Sequence, residues 1–173
     1  ILRPRFADVT DTMTDAQVPG HFNSFSNFMY EMSWGKLIFA GLGQGSDATP
    51  VMLLPGNAAD YDNAGLGKLY DTCKAVAQTN YGFNLGQYDF IYVATGARPA
   101  AGYAGLGFVR GVGFHLANGY YGAGTASHEY GHNLGLNHAN FWSTLGKTII
   151  GGGNSVEYGD GNDTMGGGGS TPQ

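Results

Sequence analysis

The run His128-Glu129-Tyr130-Gly131-His132-Asn133-Leu134-Gly135-Leu136-Asn137-His138 sets three imidazoles, a carboxylate and a glycine in the pattern H-E-x-x-H-x-x-G-x-x-H. On a helix, residues four apart share a face, so His128 and His132 can each aim a ring nitrogen at one metal ion. Glu129 projects beside that face. There it can reach a metal-bound water without binding the metal, which is where a general base belongs. Gly135 can take a positive φ with no Cβ penalty, end the helix and bring His138 back as a third ligand. Three histidines leave a fourth position open for water. A structural zinc usually completes four protein ligands, often thiolates, and this chain has one cysteine. Isolated histidines are mostly surface or satisfied core groups, and His21 and His115, outside the pattern, read that way. Five specified positions falling together set the other three apart.

These side chains need elements to carry them. Leu2 to Val9 reads as a first strand despite Pro4, which suggests an edge or a late start. Phe22, Phe25, Met29 and Met32 recur at helical spacing after Pro19, which predicts a helix of about fifteen residues ending near Gly35. Lys36 to Ala40 and Val51 to Leu54 read as strands. Leu66, Leu69, Cys73, Val76 and Ala77 form the stripe of a second helix that Gly82 can cap. A thiol on such a stripe reads as buried and inert. Phe90 to Ala94 is an apolar run suited to a central strand. Ala104 to Val109 and Gly113 to Ala117 are two further strands leading into the motif helix. Strand and helix thus alternate before the motif and little regular structure follows it. The expected fold is α/β, with an upper lobe over residues 1–135, an irregular lower lobe over 136–173 and a cleft between.

The whole is expected to be one domain, since 173 residues suit a single core. Net charge is −5 and only 12% of residues are charged, with no basic block, so nucleic acid and anionic membrane are not expected partners. No apolar run approaches the roughly 20 residues of a membrane span. The 31 glycines crowd into 102–124 and 151–169 without a period, and read as loops and close backbone approach. The segment Gly166 to Gln173 reads as a flexible tail or a truncation scar, the latter implying a truncated lower lobe. Asp60-Tyr61-Asp62-Asn63 and Asp160-Gly161-Asn162-Asp163 look like hard-cation loops. Neither completes the EF-hand spacing, so they read as turns and calcium is left without support.

The eleven-residue pattern resembles the signature of the metzincin zinc peptidases, and Tyr158-Gly159-Asp160-Gly161-Asn162-Asp163-Thr164-Met165-Gly166 is similar to the methionine turn of that clan. Within the clan the chain resembles most the gametolysin family, through Ser33-Trp34-Gly35-Lys36, Tyr158-Gly159-Asp160 and Met165-Gly166. Specific motifs cover residues 125 to 166. The resemblance implies a secreted zinc endopeptidase acting on protein or peptide, with Zn²⁺ held by His128, His132 and His138, Glu129 as base and Met165 packed under the site. It also implies an antiparallel edge strand over the cleft, with Gly105, Leu106, Gly107 and Phe108 binding an extended substrate by strand addition. Some metzincins carry a ligating tyrosine two residues after the turn methionine; here that position is Gly167, so no such ligand is expected from it. A monomer is expected. The other reading is a non-catalytic, zinc-stabilised domain that grips a peptide without cutting it.

Overall fold

The computed structural model describes residues 1–42, 47–62, 65–96, 102–146 and 148–169. It is mixed α/β. The elements in chain order are β1 (Pro4–Arg5), α1 (Gln17–Met32), β2 (Met52–Leu53), α2 (Ala59–Asp62), α3 (Gly65–Tyr81), β3 (Val93–Ala94), β4 (Gly105–Gly107), β5 (Phe114–Leu116), α4 (Ala123–Asn133), β6 (Phe141–Ser143) and β7 (Asn154–Val156), with a 3₁₀ turn at Leu85–Gln87.

β1 and β2 run parallel, β3 and β5 run parallel, and β4 lies antiparallel on β5. A parallel bridge between Leu2 and Val93 joins the pieces, with Leu2 N–H donating to Tyr92 O (2.8 Å) and Ala94 N–H donating to Leu2 O (2.9 Å). The strand order is therefore β2-β1-β3-β5-β4. Side chains alternate across it. Val93 faces the cluster of Leu66, Leu69, Cys73 and Val76 from α3, while Tyr92, Phe114 and Leu116 face Phe25, Phe28 and Met29 of α1 and Ala126 of α4. Helices thus cover both faces, as a mainly parallel sheet requires.

Several expectations are met in shorter form. The first strand narrows to Pro4–Arg5 and lies between β2 and β3 rather than at an edge, and Phe90 to Ala94 pairs only at its end. Gly82 caps α3 with φ of +71°. The segment Lys36 to Ala40 is not a strand, contrary to the sequence reading. Leu37 N–H donates to Ser33 Oγ (2.8 Å) and Phe39 O accepts from Ser26 Oγ (3.1 Å), so side chains of and beside α1 take backbone groups that a ladder would have used. A second difference lies after α4, where little regular structure was expected. β6 and β7 form an antiparallel hairpin pairing Phe141 with Val156 and Ser143 with Asn154. Asn63, the last four residues and part of the segment before β4 lie outside the described residues. Among the described residues, no helix is long and apolar enough to cross a membrane.

α4 is fixed from behind by aromatic packing. The Tyr130 ring stands edge-on to Phe90 (5.0 Å between centroids) and to Phe39 (5.1 Å), locking the rotation of the helix about its axis. Asn133, at its end, donates from Nδ2 to Phe108 O and Gly113 O, both at 2.9 Å, and accepts from Gly113 N–H, so the β4–β5 turn is tied to the helix.

Candidate metal centre

Tyr130 and Asn133 hold the rear of α4, so the opposite face presents His128 and His132, with ring centroids 4.9 Å apart. The helix stops where glycine permits. Gly135 has φ of +95°, its N–H donates to His132 O (2.8 Å), and Leu136 N–H donates to Gly131 O (3.0 Å). This pair of bonds is a Schellman motif, which reverses the chain. His138 returns to 5.4 Å from the His128 ring and 5.0 Å from the His132 ring. One ligand atom from each of the three lies within 4.8 Å of the other two, close enough to hold a single metal ion.

The hydrogen bonds decide which nitrogens face inward. His128 Nδ1–H donates to Thr164 O (2.8 Å), His132 Nδ1–H to Leu136 O (2.8 Å) and His138 Nδ1–H to a Glu157 carboxylate oxygen (2.7 Å). Each partner can only accept, so each Nδ1 carries the proton and each Nε2 keeps a lone pair for a metal. Burial lowers the His128 pKa, opposed by its bond to Thr164. This favours the neutral, ligating form. Three neutral imidazole donors fit a borderline divalent ion, so the residues present suit a metal of that kind.

Glu129 is buried on the same helix, and burial pushes its carboxyl up to about 7 against a hydrogen bond from the Gly107 backbone. A divalent cation beside it would pull that value back down. β4 crosses directly over it. A Cβ on Gly107 would stand 2.5 Å from Glu129 O, so glycine lets the strand lie on the helix. The close approach at Gly105 and Gly107 is to α4. β4 ends the strand order, leaving its outer side without a strand among the described residues, and Leu106 is 38% exposed there.

Met165 is buried against Gly131, where an added Cβ would collide with Sδ. Its turn serves two ligands at once. Thr164 O holds His128, and Met165 O accepts from Ala139 N–H (2.9 Å), the residue after His138. Asp160 to Asp163 make a turn, as the sequence reading had them, whereas Asp60 to Asp62 lie in α2 rather than in a loop. Asp160 Oδ1 accepts from Asn162 N–H, Asp163 Oδ1 from Met165 N–H and Asp60 Oδ2 from Asn57 N–H. His21 and His115 are buried, bonded to Tyr121 O and Tyr92 Oη and to Thr95 and Tyr103 respectively, away from the ligand cluster. Sequence reasoning missed Glu157, and placed Tyr158 in the methionine-turn run without its contact to His138, whose ring lies 3.8 Å away. No local pattern marks an acceptor that sits 19 residues from its histidine. A cavity of about 460 Å³ opens behind α4 beside Phe39, Phe90 and Tyr130, and the three histidines and Glu129 do not line it. Compared with known proteins, the chain matches no family model, no curated protein and no solved structure.

Proposed function

We propose that this chain is a zinc-dependent endopeptidase of metzincin type, most similar to the gametolysin family, secreted and acting on protein or peptide substrates. One observation carries the reading. Three imidazoles with engaged Nδ1 protons converge on one point beside a buried carboxylate that is not among the converging ligands. A purely structural site has no chemical need for that acid. The antiparallel strand β4, lying over the motif helix at the end of the strand order, supports the edge-strand role that the resemblance implies for residues 104–109.

Zinc bound by three neutral imidazoles supplies Lewis acidity and lowers the pKa of coordinated water. The chain's own groups do the rest. β4 offers backbone N–H and C=O groups to an extended peptide, fixing it irrespective of its side chains. Glu129 takes a proton from the attacking water and returns it to the leaving amine. Thr164 O, Leu136 O and Glu157 hold the ligand rings in the tautomer the metal needs.

The test is Glu129→Gln, which keeps size and polarity and leaves every ligand in place. Zinc should stay bound near one per chain while hydrolysis of unfolded protein substrates falls by about 10²–10⁴-fold. Equal cleavage by parent and variant would place the hydrolysis elsewhere. If neither cleaves while both bind zinc and an extended peptide, the chain is a binding module.

A further inference from the structure

The three ligands are not held alike. His128 and His132 rise from one helical turn, and each Nδ1–H goes to a backbone carbonyl that no side-chain substitution removes. His138 lies beyond the Schellman turn, and its Nδ1–H goes to the carboxylate of Glu157, whose side chain is 66% exposed. The next residue covers the ring. Tyr158 lies 3.8 Å from the His138 ring at 34° and 5.9 Å from the His128 ring at 30°. Tyr158 has φ of +58°, a conformation that a bulky aromatic residue adopts at a cost unless its surroundings impose it. They do so through residues next to His138. Tyr158 N–H donates to Asn140 Oδ1 (3.2 Å), Asp160 N–H to Ala139 O (3.3 Å), and a Cβ on Gly159 would stand 2.6 Å from Phe141 Cβ.

We propose that Glu157 and Tyr158 are positioning residues that clamp the third ligand, so that the turn following β7 sets the affinity of the site for its metal. This rests on the reading of the three histidines as a zinc centre. Glu157 accepts the Nδ1 proton and so keeps the Nε2 lone pair of His138 turned inward. Tyr158 restrains the plane of the ring by lying tilted against its face. A hydrogen bond from an exposed carboxylate contributes little to folding, so loss of Glu157 acts on the ligand rather than on the stability of the metal-free chain.

The experiment is competition for zinc between the chain and a chromophoric chelator, with urea midpoints recorded alongside. Glu157→Ala should weaken zinc binding by about 10–100-fold with an unchanged midpoint of the metal-free chain, and Glu157→Gln, whose amide oxygen still accepts the proton, should recover part of that loss. Tyr158→Asn tolerates the left-handed backbone and removes the ring, so it should weaken binding, while Tyr158→Phe should restore most of it. A cycle locates the effect. In a His138→Ala background, adding Glu157→Ala should change affinity no further, because the ligand through which it acts is gone. A parent that binds zinc while Glu157→Ala and Tyr158→Asn bind it equally well overturns the clamp alone. An undiminished Glu157→Ala effect in the His138→Ala background does the same. A parent that binds no zinc overturns the metal-centre reading and the clamp with it.

Discussion

Gly105 and Glu129 occupy space that only one of them can enlarge into. A Cβ on Gly105 would stand 2.5 Å from Glu129 Oε1, 2.6 Å from its Cγ and 2.8 Å from its Cδ. The edge strand and the acid are therefore one packing unit, and the strand holds the carboxylate down while no strand among the described residues pairs with its outer side.

Gly105→Ala should accordingly turn the carboxylate away and reduce hydrolysis while zinc stays bound, at a stability cost of about 1–3 kcal/mol from overpacking. Gly107→Ala meets the backbone oxygen of Glu129, which cannot rotate aside, and should cost more. Urea titration and steady-state kinetics on the two variants check the order. Parental kcat in Gly105→Ala would contradict the arrangement.

Replacing His128, His132 or His138 singly by Ala should lower zinc affinity by at least the roughly 100-fold that loss of an outer partner can cost. Elemental analysis of the parent should give one zinc per chain. A variant that retained parental affinity would remove that residue from the ligand set.

Met165 and Gly131 should be energetically coupled. Met165→Ala opens a hole in a buried position and should cost about 2–5 kcal/mol, whereas Met165→Leu should cost under about 1.5 kcal/mol. Gly131→Ala crowds Sδ in the parent, so it should be better tolerated once Met165 is Ala, with a coupling of about 0.5–3 kcal/mol. Additive losses in a double-mutant cycle would show that the two do not share the contact.

His21 predicts a pH dependence of stability. Its Nδ1–H donates to Tyr121 O (2.6 Å), its Nε2 accepts from Tyr92 Oη (2.8 Å), and burial lowers its pKa. The unfolded chain then takes up a proton at this residue near pH 6.5, while the folded chain resists it to lower pH. Its contribution is full above about pH 6.5 and is lost as pH falls toward the folded value. Urea midpoints at pH 8 and pH 5.5 should therefore differ less in His21→Gln than in the parent. An equal difference would show that His21 does not set it.

Read alone, the sequence determined what is local. The ligand pair follows from helical geometry, Gly135 turns the chain because only glycine takes φ of +95° freely, and the apolar stripes of α1 and α3 follow from their period. The stripe of α1 was legible only in part, since Phe28 is buried and Phe22 is half-buried. Tertiary structure decided which atom holds each ring. Of the three acceptors, Leu136 is four residues from its histidine, Glu157 is 19 and Thr164 is 36. It also decided that Lys36 to Ala40 forms no strand and that Gly105 makes room for Glu129. The reason is common to all of these. Periodicity records which side of an element is apolar, but a hydrogen bond or a close approach between distant segments depends on where folding brings them, and no residue spacing encodes that distance.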